Sequence, residues 1–264
     1  MKRNNKRSQR ALRDDLTARE LAQELEDSMS PVSELENPNP LKTTLRVKQF
    51  PWTKKQKEFF KMALDDDTRV VFVNGPAGTS KTLLSVYCGL QLLNKKVISD
   101  MMYVRSAVES SDARLGYLPG SAEDKLKFYN LPFLDKLEEL LSEQRVAKLE
   151  KEERISMFPV NFARGMNWQN KCIIFDEVQN SSAKEITTVL TRMGKHSRCF
   201  ILADPMQSDL RSHDCAFQEM FDLFSDEESH EKGIRTFEFT EDDIMRSELV
   251  KFLITKLKEL KRNQ

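Results

Sequence analysis

The sequence has no net charge, no closely spaced cysteines and no long apolar run. Its 42 basic and 42 acidic side chains cancel over 264 residues, so any binding of nucleic acid needs a local basic patch. The four cysteines form no CxxC pair and no Cys/His ligand spacing, which disfavours a zinc site or a disulfide framework. They are therefore expected to be buried free thiols. No apolar run reaches membrane-spanning length and no signal-peptide core is present, so we expect a cytoplasmic protein that does not bind a membrane.

Composition divides the chain into two regions. Residues 1–45 hold a basic stretch, an acidic stretch and several prolines, which predicts a flexible N-terminal arm and linker. The arm either touches nucleic acid or is a solvated segment that neutralises its own charge. Residues 46–264 alternate short apolar segments with helical stretches and are long enough for a single domain.

The alternation predicts an α/β, three-layer domain. Strands that are apolar along their whole length suit a mainly parallel five-stranded core sheet covered on both faces. The predicted strands are 69–74, 101–105, 171–175, 199–203 and 234–239. The predicted helices are 81–94, 121–153 with a break at Pro132, 181–193, 214–224 and 243–260.

A glycine-bearing loop follows the first predicted strand and precedes a helix. Such a strand, loop and helix start place backbone N–H groups and a helix dipole around one point, which suits a polyphosphate such as that of ATP. Lys81 is expected to reach the β- and γ-phosphates and the Thr82 hydroxyl to bind Mg²⁺. A serine at position 80 replaces the usual glycine, and its side chain restricts the loop dihedrals. The predicted loop consists of Gly75, Pro76, Ala77, Gly78, Thr79, Ser80, Lys81 and Thr82.

A second motif is the apolar strand 171–175, which ends in two carboxylates, Asp176 and Glu177. This is a Walker B sequence, and we expect its strand to lie directly beside the strand of the phosphate loop. Asp176 is predicted to hold Mg²⁺ and Glu177 to polarise the attacking water. Two carboxylates at a strand end are a weak signal alone, but the preceding loop strengthens it.

Two glutamines are candidate nucleotide contacts. Gln207 follows the strand 199–203 at the edge where ligands bind in open α/β folds, and its amide can sense the γ-phosphate. The alternative is a capping turn built on Asp204 and Pro205. Gln56, in a helix capped by Thr53, is a candidate reader of the adenine edge, with Trp52 or Phe50 stacking on the base. The alternative is a surface glutamine beside a core aromatic.

Together these motifs resemble the PhoH family of P-loop ATPases over roughly residues 50–254. Beyond the loop at 75–82, the resemblance is carried in order by segments 105–109, 115–120, 176–180, 190–194, 203–207 and 243–246. The resemblance implies a RecA-like fold, a bacterial or phage origin and assembly into rings, with a hexamer as one candidate. Some members of that family add a nuclease domain, for which this chain has no matching segment.

A single lobe of this kind needs a neighbouring subunit to complete its nucleotide cleft, so a homo-oligomer is also expected on physical grounds. A neighbour would provide an arginine finger that neutralises charge in the transition state. Arg192 and Arg246 are the candidates, followed by Arg105 and Arg164, and each could instead form a structural ion pair.

Basic and aromatic residues alternate over residues 105–130. This pattern suits either contact with RNA or single-stranded DNA through Arg114 and Lys125 or a subunit-contact loop, and it is mainly the resemblance to the family that favours nucleic acid. The leading interpretation is a Mg²⁺-dependent ATPase that acts as a ring on nucleic acid. Helicase-like motor activity is an additional hypothesis. The other interpretations are an ATP-binding ring with little turnover, a small-molecule kinase, which has no need for Glu177, and a nuclease, for which no further acidic cluster is evident.

Overall fold

The computed structural model describes residues 37–106, 122–163, 165–204, 207, 216–253 and 256, with residues 122–130 described by their backbone alone. The strands are β1 (Val70–Asn74), β2 (Asp100–Arg105), β3 (Ile155–Pro159), β4 (Lys171–Asp176), β5 (Arg198–Ala203) and β6 (Ile234–Glu238). The helices are α1 (Lys54–Ala63), α2 (Lys81–Asn94), α3 (Ala122–Leu140), α4 (Glu143–Lys151), α5 (Ala183–Leu190), α6 (Ala216–Leu223), α7 (Glu227–Glu231) and α8 (248–253).

The strands form one sheet in the order β3-β2-β4-β5-β1-β6, and every pairing is parallel. The predicted α/β architecture is therefore confirmed, with six strands where the sequence predicted five. The additional strand is β3, a half-buried edge strand that ends at Pro159. β3 has the sequence Ile-Ser-Met-Phe-Pro, in which Ser156 and Pro159 interrupt the apolar run, whereas the other edge strand, β6, was predicted although it contains Arg235 and Thr236.

The prediction that the two motif strands are neighbours was wrong, because β5 lies between β1 and β4. Adjacent strands are about 4.8 Å apart, so the two motifs begin roughly 10 Å from each other. Helix α2 closes this gap, since it leaves the phosphate loop and packs over both β5 and β4. Its first turn therefore lies within reach of the carboxylates that follow β4.

Each face of the sheet is covered by helices, which completes the predicted three layers. One core lies between the sheet and α1 to α4, and the other lies under α5 and α6. Alternate residues of a strand serve the two cores, as Val71 and Val73 do for the first and Val70 and Phe72 for the second. This double coverage explains why the central strands are apolar at their inner positions, with charged or amide residues only at their ends. Cys88, Cys172 and Cys199 are buried free thiols in these cores, as predicted, and Cys215 lies outside the described residues.

Helix α3 continues through Pro132, where a break was predicted. Phe133 and Leu137 are fully buried against the first core, and this packing holds the helix together across the missing hydrogen bond. The chain breaks instead after Leu140, and α4 starts behind Ser142.

Residues 37–45, part of the predicted linker, pack against the domain. The Asn37 amide donates to the Lys96 carbonyl at 2.7 Å, and the Leu45 N–H donates to Asn94 Oδ1 at 2.7 Å. Residues 1–36 lie outside the described part of the chain. Within the described ranges, no helix has the length and apolar character needed to cross a membrane.

Candidate functional site

The loop after β1 is shaped by close contacts and by two residues with positive φ. A side chain at Gly75 would approach the Phe239 Cβ to 2.8 Å, so only glycine fits against the end of β6. Gly78 has φ +87° and Ser80 has φ +66° with ψ +21°, immediately before α2 begins at Lys81. The loop thus wraps the N-terminus of a 14-residue helix, where backbone N–H groups and the helix dipole attract anions.

The serine at position 80 adopts a backbone conformation that suits glycine better. A left-handed conformation costs a residue with a Cβ about 1–2 kcal/mol, and a glycine at this position would avoid that cost. Part of this gain is offset because glycine loses more conformational entropy when the chain folds. We therefore expect Ser80→Gly to raise the free energy of unfolding by up to about 1 kcal/mol, measured by urea denaturation.

Ser80→Ala is the matched control for this prediction, because it removes the hydroxyl and keeps the Cβ. The Ser80 side chain makes no capping hydrogen bond, so the alanine variant should unfold close to the parent. Equal stability of the glycine and alanine variants would show that the dihedral angle carries no cost.

Lys81 lies in front of this loop. Its Nζ donates to the Gly75 carbonyl at 2.6 Å and to the Pro76 carbonyl at 3.1 Å. Burial lowers the pKa of Lys81, and the negative charges nearby, Asp204 first, oppose that shift. The ammonium is therefore held at the mouth of the loop among carbonyl oxygens and carboxylates.

A buried carboxylate, Asp176, faces the first turn of α2. Its Oδ2 accepts hydrogen bonds from Thr82 Oγ1 at 2.9 Å and from the Tyr103 hydroxyl at 2.8 Å. Its Oδ1 accepts from the Glu177 N–H at 2.9 Å. Burial raises the pKa of Asp176, and the charge of Glu177 adds to this effect. The hydroxyl and carboxylate oxygens offered by Thr82 and Asp176 are the hard ligands that Mg²⁺ prefers, so these residues fit that ion.

Glu177 has φ +57°, a left-handed conformation that is strained for a residue with a side chain. Its Oε2 accepts from Gln179 Nε2 at 2.5 Å. Gln179 is buried, and its Oε1 accepts from the Asp204 N–H at 3.1 Å. One amide side chain thus connects the end of β4 with the end of β5.

Asp204 occupies the edge between the two motifs. Its Oδ2 accepts from the Ala77 N–H of the loop at 2.7 Å, and its carbonyl accepts from the Gln207 N–H at 2.9 Å. The sequence offered a turn at Asp204 and a nucleotide contact by Gln207 as alternatives. The structure has the turn and also places Gln207 at the cleft. Gln179 and Asp204 were not predicted as site residues. Asp204 could have been found from the sequence, because it is a carboxylate directly after an apolar strand, as Asp176 is.

These elements enclose a cleft of about 340 Å³. It also receives Lys136 and Glu139 of α3, which form an ion pair with an N···O distance of 2.6 Å and which sequence reasoning missed. The predicted site residues that line it are Ala77, Gly78, Ser80, Lys81, Thr82, Asp176, Glu177, Gln207 and Arg246.

Arg246 lies over the loop of its own chain. A side chain on Gly78 would meet the Arg246 Cγ at 2.9 Å, and the neighbouring Met245 N–H donates to the Gly78 carbonyl at 2.9 Å. Arg105 ends β2 in register with Asp176, and its positive charge acts against the rise in the pKa of that carboxyl group.

Other predicted residues lie away from the cleft or outside the described residues. Gln56 is buried, and its Oε1 accepts from the Thr53 N–H at 3.0 Å in a capping box, while Trp52 packs edge-on against Phe60. Arg192 follows α5, and its carbonyl accepts from the Trp168 N–H just before β4. Arg164 and Arg114 lie outside the described residues, and Lys125 is described by its backbone alone.

A parallel α/β sheet with a glycine-bearing loop between β1 and α2, facing an acidic strand end, defines a P-loop NTPase domain. The family model described as "PhoH-like protein" matches residues 49–258. The chain therefore belongs to the PhoH-like protein family, as the resemblance of its motifs predicted.

Curated relatives agree with this assignment. A PhoH-like protein of Mycobacterium tuberculosis is 34% identical over 160 residues, which cover 61% of this chain and 45% of the relative. A PhoH-like protein of Bacillus subtilis is 31% identical over 215 residues, covering 80% of this chain and 63% of the relative. Protein PhoH2 of Bacillus subtilis is 32% identical over 163 residues, covering 60% of this chain and 37% of the relative. The chain thus spans less than two thirds of the length of each of these relatives.

Proposed function

We propose that the protein is a Mg²⁺-dependent ATPase that works as a homo-oligomeric ring on RNA or single-stranded DNA. One observation carries the proposal: Lys81, the Thr82–Asp176 hydrogen bond and Glu177 all face one cleft at the mouth of the loop. Membership of a P-loop NTPase family supports nucleotide binding at that cleft. The chain covers only part of each relative. The polymer and the assembly state are therefore proposals, which rest on the family resemblance together with the residues of this chain.

Each residue of the cleft has a chemical task in this proposal. The loop amides and Lys81 bind the phosphates, and Lys81 exchanges its carbonyl partners for phosphate oxygens. Thr82 and Asp176 would hold Mg²⁺, which neutralises charge on the phosphate oxygens when bound. Glu177 accepts a proton from the attacking water while that oxygen bonds to the γ-phosphorus and the bond to the bridging oxygen of ADP breaks.

Gln207 is the proposed sensor of the γ-phosphate. Its backbone N–H is anchored on the Asp204 carbonyl, and the Asp204 carboxylate holds the Ala77 N–H of the loop. A γ-phosphate that takes over this amide would displace the carboxylate and move the turn that carries Gln207. The state of the nucleotide would thereby be transmitted to the surface of the domain.

A neighbouring subunit would complete the cleft. Arg246 already reaches the cleft of its own chain, so we assign it to the phosphates in the same subunit. Arg192 lies away from that cleft and remains the proposed arginine finger from a neighbour, with Arg105 and Arg164 as further candidates. The proposal places RNA or single-stranded DNA against the basic and aromatic segment 105–130.

One contact favours a second candidate function, an ATP-binding ring with little turnover. The Glu177 carboxylate is held by Gln179 at 2.5 Å, and in this position it is engaged with a protein donor. If this contact persists with ATP bound, hydrolysis is slow and the nucleotide acts as a structural ligand. Single-turnover hydrolysis with and without RNA separates the two functions, because only the ATPase should be accelerated.

The polymer and the assembly are tested together by measuring ATP hydrolysis with RNA, single-stranded DNA and duplex DNA over a range of salt concentrations. We expect RNA or single-stranded DNA to raise the rate, and the effect to fall steeply with salt because phosphate contacts release counterions. Light scattering on the same samples should give the mass of an oligomer. A monomer whose hydrolysis is the same with and without each polymer would contradict the ring and its nucleic-acid dependence.

A further inference from the structure

Tyr103, on β2, is a buried tyrosine whose hydroxyl reaches the proposed metal ligand. Strands β2 and β4 pair with Tyr103 opposite Ile174, so Asp176 is its diagonal neighbour on the same face of the sheet. A long aromatic side chain can span this diagonal, and the Tyr103 hydroxyl donates to Asp176 Oδ2 at 2.8 Å. The side chain at position 103 therefore determines one of the hydrogen bonds that the Asp176 carboxylate accepts.

The hydrogen bonds to Asp176 leave its carboxylate little freedom. A carboxylate offers about four acceptor positions, and here Oδ2 receives the Thr82 and Tyr103 hydroxyls while Oδ1 receives the Glu177 N–H. Thr82 is itself a proposed metal ligand, and the Glu177 N–H belongs to the adjacent backbone. The Tyr103 hydroxyl is thus a side-chain donor to Asp176 that the proposed mechanism does not otherwise use.

The ring of Tyr103 is itself held in place. Phe133 of α3 stacks on it with centroids 5.0 Å apart and an interplanar angle of 5°. Both side chains are at most 2% exposed, so the ring cannot swing away without opening the core. The position of α3 is therefore connected through Phe133 and Tyr103 to the carboxylate in the cleft.

We infer that Tyr103 is a positioning residue that holds Asp176 in the orientation needed to bind Mg²⁺, with Phe133 fixing the tyrosine. The inference rests on the proposed function. Partners that orient a metal ligand commonly change metal affinity by about 10- to 100-fold when they are removed. Tyr103 acts through Asp176 and is not itself a metal ligand or a catalytic residue.

Tyr87 provides a matched control in the same core. It is also buried, and its hydroxyl donates to Gln49 Oε1 at 3.1 Å, away from the cleft. Tyr103→Phe and Tyr87→Phe each delete one buried tyrosine hydroxyl and leave the ring. A difference between the two variants therefore reports the contact with Asp176.

The test is a Mg²⁺ titration of the binding of a fluorescent ATP analogue, with a parallel measurement in EDTA. Tyr103→Phe should raise the Mg²⁺ concentration for half-maximal binding by about tenfold and leave binding in EDTA unchanged. Tyr87→Phe should titrate like the parent. Electron paramagnetic resonance of Mn²⁺ with the same proteins should show the same order of metal affinities in the presence of nucleotide.

Phe133→Leu is a second variant, which keeps the Tyr103 hydroxyl and loosens its ring, and it should shift the Mg²⁺ titration in the same direction by a smaller factor. Mg²⁺-dependent binding that is unshifted in both variants, or shifted equally in the Tyr87 variant, would overturn the inference and leave the proposed function intact. A parent protein that binds no nucleotide with or without Mg²⁺ would instead contradict the proposed function and, with it, this inference.

Discussion

Replacing Lys81 with alanine should weaken ATP binding by about 100-fold, the larger end of what charge-assisted hydrogen bonds contribute. The Lys81 ammonium already lies at the mouth of the loop, 2.6 Å from the Gly75 carbonyl, and it is already partly removed from water. Binding phosphate oxygens therefore requires little further desolvation of this charge. Without the Lys81 ammonium, only the loop amides remain of these two groups to bind the triphosphate. Titration calorimetry in the presence of Mg²⁺ measures the loss of ATP affinity.

Lys171→Ala is the control for this variant. Lys171 is also a partly buried lysine paired with a carboxylate, that of Asp100, but it lies at the opposite end of the sheet. The Lys171→Ala variant should bind ATP like the parent even if the variant is less stable. If the Lys81 variant bound ATP as tightly as the parent, the nucleotide would have to lie elsewhere, and the assignment of the loop would be wrong.

Much of this architecture could be predicted because local patterns report burial. The central strands are apolar at their inner positions, as in Phe200 to Leu202 of β5, because helices cover both faces of the sheet. The edge strand β3 is half-buried, and Ser156 and Pro159 interrupt its apolar sequence. Pro132 shows the opposite error, since a local signal for a break was overridden by the tertiary packing of Phe133.

The parts of the site that are contiguous in the sequence could be predicted. The contacts that depend on the order of strands in the sheet could not. Gly75 to Thr82 and the pair after β4 are contiguous motifs, but the sequence does not state that β5 separates them. Once β5 lies between, Asp204 must face the loop, and Gln179 can span to it from β4. Both contacts therefore required the fold.

Gln56 illustrates a signal with two uses. The sequence Thr53 to Gln56 has the spacing of a capping box, in which the glutamine side chain returns to the N-cap N–H. The structure forms that box, with the Gln56 amide engaged at the start of α1. Its predicted role with adenine stays a prediction, for which comparison of ATP with GTP turnover is the test.

Replacing Glu177 with glutamine should preserve ATP binding and lower turnover by about 10²- to 10⁴-fold, the usual contribution of a general base. Glutamine has nearly the same shape, so the strained turn, its N–H bond to Asp176 and the metal ligands are retained. The amide cannot accept a proton from water. Single-turnover hydrolysis, together with calorimetric binding of ATP, separates the chemical step from affinity.

Glu139→Gln is the matched control, because Glu139 is a second glutamate at the rim of the same cleft, where it pairs with Lys136. That substitution should leave the chemical step within about twofold of the parent, since the electrostatic contribution of a half-exposed ion pair is small. Full hydrolysis by the Glu177 variant would remove the reason to prefer an ATPase over a kinase-like use of the loop. A parent that binds ATP and turns it over no faster than the Glu177 variant would favour the ring in which ATP is a structural ligand.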